Sequence, residues 1–171
     1  MHRPRERAIL GADRRRLGRV AMADIELRSD QSYREAGKAV VGARVGEMLG
    51  RADGVLDTAD PERVHKMRVA TRRLRAALEV FGAGLPRKRT RAALADVKML
   101  AAALGERRDC DVLIELLGSL RPETRRAERA AIDQLLGELR DEQLEANKRL
   151  AKALAHLEEH GLERRLRKLA R

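Results

Sequence analysis

DPERVHKMRVATRRLRAALEVFGAGLP, residues 60–86, decides the fold. Asp60 is a capping residue type, Pro61 suits the first helical position, and Glu62 puts a negative charge in the first turn, where the helix dipole favours it. The pattern predicts a helix from Pro61 to Phe81, ended by the Gly82-Ala83-Gly84-Leu85-Pro86 run. At about 100° per residue, with His65 at zero, Met67, Ala70, Leu74, Leu78 and Phe81 fall between roughly 140° and 220°. Arg68, Arg72 and Arg75 fall near 300°, 340° and 280°, so with His65 they form one narrow cationic stripe nearly opposite the apolar one. Such a helix buries one side and turns its guanidinium groups toward solvent or a groove. Only Glu79 stands near these arginines in the sequence, and their mutual repulsion is relieved when an anion binds.

The surrounding chain sharpens the contrast. Residues 61–91 hold 10 basic groups and 2 acidic ones, whereas residues 1–60 hold 12 and 10, and residues 92–171 hold 16 and 15. Nearly all of the formal charge of +11 therefore sits on this helix and the turn behind it, which points to a polyanionic partner. With 171 residues, 43% of them hydrophobic, the chain can bury one core of ordinary size. Aromatic residues make up only 1%, and strong helix formers dominate. That argues against sandwiches and barrels, whose strands draw on aromatic and β-branched residues. The expected class is all-α, an antiparallel bundle of four to six helices. A lone cysteine, Cys110, excludes a disulfide framework and a cysteine-based zinc site, and fits a reducing cytoplasm. No apolar run approaches the roughly 18 residues of a membrane span, and no signal-peptide core is present, so no membrane partner is expected.

Residues 1–28 lack a sustained apolar stripe and carry Arg14, Arg15 and Arg16; they read as a mobile basic arm before a helical domain over 29–171. Ser32 and Glu35 form a capping box for a helix to about Leu49. Gly37, Gly42 and Gly46 either weaken that helix or let a neighbour come close. A third helix is expected over Lys88–Leu104, antiparallel to residues 61–81, with Gly105 just past its end. Asp109 or Asp111 would cap a fourth, Val112 to Leu120, broken at Arg121-Pro122. A long helical stretch from Glu123 to about His160 and, after Gly161, a basic helix ending at Arg171 complete the chain. The fourth segment is apolar on nearly every side and so must be buried all round. Either the 123–160 stretch folds back over it, or a second copy of the chain covers it in a homodimer.

The string VHKMRVATRRLRAALEVF, then LPRKRTR, then ALGERRDCDVL and a long Ala/Leu/Arg helix, resembles the conserved-histidine α-helical domain family, CHAD. The shared elements are His-x-x-Arg-Val at His65–Val69, Arg-Arg-Leu-Arg at Arg72–Arg75 and Gly-x-x-Arg-Asp-x-Asp-Val at Gly105–Val112. The resemblance implies a helical domain that binds inorganic polyphosphate on a basic central surface, in some members on polyphosphate granules. It implies His65, Arg68, Arg72, Arg73 and Arg75 as ligand contacts, and matches Lys98 and Arg108 to basic positions of the next helix and loop. With Arg91 these complete the expected groove. The match covers about residues 31–160, one half of a domain that resembles two pseudo-symmetric bundles. No second His-x-x-Arg element follows Arg108.

A polyphosphate chain offers closely spaced anionic oxygens and no bases, which calls for rows of guanidinium forks without stacking platforms. His65 reads either as a donor to phosphate or as a helix-start residue bonded to a loop. His156-Leu157-Glu158-Glu159-His160 matches H-x-x-E-H but lacks an obvious third ligand, so no metal is expected. Cys110 lies between two aspartates, which oppose a reactive thiolate, and no nucleotide loop or nucleophile elbow is present. The expectation is a non-catalytic polyphosphate-binding module without cofactor. Non-specific binding to a nucleic-acid backbone is the alternative, since residues 61–81 hold no Asn or Gln for base readout.

Overall fold

The computed structural model describes residue 25 and residues 27–171, and five α-helices with no strand are found among them. The expected N-terminal arm, residues 1–28, lies almost wholly outside the described residues. The first helix, α1, runs Tyr33–Leu49 and opens with the expected capping box: Ser32 Oγ accepts from the Glu35 backbone N–H, and the Ser32 N–H donates to Glu35 Oε2 at 2.9 Å. Helix α2 runs Pro61–Phe81. Asp60 precedes it without capping; its carboxylate takes a hydrogen bond from Arg63 Nε at 2.9 Å instead. A short 3₁₀ turn at Gly82–Gly84 and Pro86 reverse the chain into α3, and Lys98 of α3 reaches back to Glu79 of α2, so the two helices are antiparallel as expected.

The main departure lies in α3, which runs unbroken from Arg87 to Leu120. Gly105 does not end it, and Asp109 and Asp111 cap no fourth helix. The reason lies across the expected break: Arg107 and Asp111, one turn apart, form an ion pair whose side chains are wholly buried, a geometry that needs a continuous helix. A single interior glycine costs only about 1 kcal/mol, which that packing offsets. A 3₁₀ turn at Arg121–Glu123 follows, so α4 starts at Arg129 and not Glu123, and runs to Glu159. Gly161, at φ +63°, adopts the left-handed conformation glycine allows, and α5 spans Leu162–Leu169.

The core collects Val41, Val45 and Met48 of α1, Met67, Leu74 and Leu78 of α2, and the three leucines of α5. From α3 it takes only residues up to Leu104, and from α4 only residues from Leu150 onward. Between those limits α3 and α4 run antiparallel as a hairpin, tied by Gln143 Nε2 to Asp111 Oδ1 at 2.6 Å, Arg149 Nε to Glu106 at 2.8 Å and Arg121 Nη2 to Asp133 at 2.8 Å. Val112, Leu113, Leu116 and Leu120 are 44–50% exposed there. The segment expected to be covered on every side is therefore covered on one side only within the chain.

Candidate functional site

The basic side of α2 follows from where its apolar side goes. Val64, Met67, Ala70, Leu74 and Leu78 are buried, which fixes the helix's rotation and leaves His65, Arg68, Arg72 and Arg75 facing away from the core. Because α3 runs antiparallel beside α2, the expected residues other than Arg73 fall along one seam about 30 Å long, the length of a 21-residue helix. Arg108 stands near the start of α2, in a cleft of about 490 Å³ that it shares with Pro61 and Glu62. Lys98 stands near the end of α2, and Arg91, two turns earlier in α3, continues its stripe.

Pairing divides these cations into two sets. Among the described residues, His65, Arg68, Arg72 and Arg91 have no carboxylate within 4 Å and no side-chain hydrogen bond; in particular, His65 bonds no loop. Arg75 and Lys98 share Glu79 at 3.8 and 3.5 Å, long contacts between half-exposed groups that hold little energy and yield readily to a better anion. Arg108 approaches Glu115 at 3.9 Å, and its cleft is also lined by Glu62 and Asp111, so this end of the seam is the least cationic.

Arg73 differs from the rest of the set. It points toward α1, where its Nη1 donates to Glu47 Oε1 at 2.7 Å, while Arg44 Nη1 donates to Glu47 Oε2 at 2.8 Å. Glu47 is buried, and two guanidinium groups hold its carboxylate from either side. Burial alone would push the Glu47 carboxyl up; the hydrogen bonds from Arg44 and Arg73 outweigh it, and the pKa lies below the ordinary value. Neither Glu47 nor Arg44 was singled out in the sequence. Glu47 lies off the apolar stripe of α1, and its partner Arg73 is 26 residues away, a contact that no spacing rule encodes.

The other candidates find ordinary places. Cys110 is buried in mid-helix, and burial first, then the nearby Glu142 carboxylate, pushes its thiol pKa up, away from reactivity. The rings of His156 and His160 lie 4.1 Å apart at the end of α4, and His160 Nδ1 is 2.7 Å from the His156 carbonyl, where it can donate to a terminal helix acceptor. No group of three His, Cys, Asp or Glu side chains suited to a metal occurs among the described residues. No helix among them is long and apolar enough to cross a membrane.

A family model for the CHAD domain matches residues 39–171, which takes in the whole of α2, α3, α4 and α5. No curated protein and no solved structure matches the chain.

Proposed function

The chain belongs to the CHAD domain family, and from that premise we propose that it binds inorganic polyphosphate along the α2–α3 seam without chemical turnover. The observation that carries the reading is the free set on α2: His65, Arg68 and Arg72 face outward with no acid within 4 Å among the described residues, on the helix where the sequence concentrates its positive charge. A chain of phosphates laid along the seam would take bidentate contacts from Arg68, Arg72 and Arg91 and draw Arg75 and Lys98 away from Glu79. Arg73 would meet it from the α1 side with the donors that Glu47 leaves free. His65 would donate to a phosphate oxygen near the start of α2.

A titration decides between this ligand and a nucleic-acid backbone. Long-chain polyphosphate, duplex DNA and RNA are added separately at one salt concentration. Polyphosphate should bind at least tenfold tighter per strand charge, because the face holds rows of cations and no aromatic platform for bases. Equal affinities would replace the reading with generic backbone binding. The paired reversals Arg68→Glu and Arg72→Glu should abolish polyphosphate binding at moderate salt while leaving helicity unchanged; retained affinity would remove this surface from consideration. Affinity should fall steeply with added salt, as released counterions require.

A further inference from the structure

The basic C-terminal helix is the charged surface that the α2–α3 seam leaves unused. Helix α5 buries Leu162, Leu166 and Leu169 in the common core and turns Arg164, Arg167 and Lys168 outward. Arg167 is held by Glu163 at 2.8 Å, and Arg165 by Asp96 of α3 at 2.5 Å. Arg164 and Lys168 have no carboxylate within 4 Å among the described residues. They stand four apart on one face, an arrangement that repels unless an anion lies between them. With Arg167, Arg171, Gly161 and the two acids Glu158 and Glu163 they line an open cleft of about 360 Å³, where cations outnumber carboxylates and Glu163 is taken up by Arg167.

Packing separates this cleft from the seam on α2. On α1, Gly37 and Glu47 meet α2, whereas Gly42 and Lys38 meet the chain around Ala170 and Arg171 at the end of α5. On α3, Lys98 reaches α2, whereas Asp96 reaches α5. Helices α1 and α3 thus stand between α2 and α5, and the two cationic faces look outward from one core in different directions.

We propose that α5 carries a second site for phosphate oxyanions, centred on Arg164 and Lys168, so that one molecule grips two separate polyanion segments and cross-links long chains. The cross-linking rests on the polyphosphate reading of the seam; the α5 site itself does not. Each face would take a short run of phosphates. A long chain held on one face leaves the opposite face free for another.

Calorimetric titration of the full chain with tripolyphosphate at low ionic strength tests the site count, and light scattering with long-chain polyphosphate tests the cross-linking. The chain should take up two equivalents of tripolyphosphate and scatter strongly with the long polymer. The exposed pair Arg164→Glu and Lys168→Glu should leave one equivalent and reduce scattering at least tenfold, with circular dichroism unchanged. Arg68→Glu with Arg72→Glu should also leave one equivalent, and the four changes together none. A wild-type stoichiometry of one, or two equivalents retained after the α5 reversal, overturns the second site. One equivalent retained on α5 after the seam reversal, with two in the wild type, supports it. If the seam reversal alone leaves two equivalents, the seam reading fails and α5 is judged by its own variant. Stoichiometry per chain also separates this mechanism from cross-linking by self-association, which would leave the α5 variant scattering as before.

Discussion

The two halves of the α3–α4 pair are built from the same kinds of residue and end in opposite circumstances. At the base, Leu100, Leu104, Leu150 and Leu154 are sealed among α1, α2 and α5. In the outer hairpin, Leu113, Leu116, Leu120 and Leu135 are 44–50% exposed, and Leu136, Ala146 and Cys110 are the buried apolar side chains between residues 105 and 149. Apolar content alone therefore does not place a helix in the core; the number of neighbouring helices does. The base is shared among all five helices. The hairpin, beyond the junction where Arg108 and Gln143 adjoin Pro61 and Asn147 donates to the Leu56 carbonyl, has its own returning helix as partner, so polar cross-links supplement a thin apolar contact there. The Arg107–Asp111–Gln143 cluster sits where the two regions join.

The largest effect should come from that junction. Asp111→Ala leaves the Arg107 guanidinium buried without a counter-charge, and is expected to destabilise the fold by about 3–5 kcal/mol. Arg107 Nε and Nη2 and Asp111 Oδ2 already lack hydrogen-bond partners. Replacing both members, Arg107→Met with Asp111→Leu, should therefore recover most of the loss, since apolar pairs of similar volume commonly match a buried ion pair. Chemical denaturation of the three variants measures this. A double variant no better than the single one would mean that Gln143, not the charge balance, governs the junction.

Leucine truncation probes the contrast directly. Leu74→Ala in the base removes a fully buried side chain and should cost about 2–5 kcal/mol, whereas Leu116→Ala in the hairpin should stay within about 0.5 kcal/mol for an isolated chain. On the helical wheel Leu113, Leu116 and Leu120 lie within about 60° of one another, so they form a single apolar stripe. That stripe is the surface on which self-association of this chain is expected. Light scattering at micromolar concentration should give about twice the chain mass of 19.2 kDa, and Leu113→Asp with Leu116→Asp should return it to one. A monomeric wild type rejects the dimer, and a large cost for Leu116→Ala would show the hairpin to be covered in solution.

The helical class, the capping box, the bounds of α2 and the reversal at Gly82–Pro86 were legible because each rests on contacts within a few residues. The seam on α2 was legible for the same reason: one helical period sets His65, Arg68, Arg72 and Arg75 against the apolar stripe. What could not be read runs between helices. Gly105 and the nearby aspartates have the form of a helix end and a new cap, whereas the packed chain buries Arg107 against Asp111 and ties Glu106 and Asp111 to α4 along a continuous α3. Glu47, which holds Arg73 off the free stripe, is likewise visible only once α1 and α2 are packed.

That pairing has a pH signature. The Glu47 pKa is lowered on folding, so its contribution to stability is present above the unfolded carboxyl value, about 4.5, and is lost as pH falls through the lower folded value. Glu47→Gln should cost about 1.5–3 kcal/mol at pH 7, the range for a hydrogen bond to a charged group, and the difference from wild type should shrink below pH 4.5. A difference constant from pH 7 to pH 3 would place the pair's value in packing and not in charge.

The smallest effect sharpens the comparison between base and hairpin most cleanly, because it uses one chemical change at two sites. At Gly37 an added Cβ would come within 3.0 Å of Phe81 Cβ, in the tight approach of α1 to the end of α2, where Tyr33 and Phe81 stack at 5.4 Å. At Gly118, in the outer half of α3, nothing lies within 4 Å of the added Cβ. Alanine gains up to about 1 kcal/mol over glycine inside a helix through the unfolded chain's lost freedom. Gly118→Ala should therefore stabilise the protein by close to that amount. Gly37→Ala should show no gain or a net loss of about 1 kcal/mol, since neither the Phe81 Cβ nor the α1 backbone can move away without disturbing Val41 and Leu78, which are closely packed in the core. Thermal unfolding should raise the midpoint for Gly118→Ala and leave it unchanged or lower it for Gly37→Ala. Equal gains at both positions would mean that the α1–α2 contact is as loose as the hairpin surface, and that the division between a packed base and an open hairpin is drawn in the wrong place.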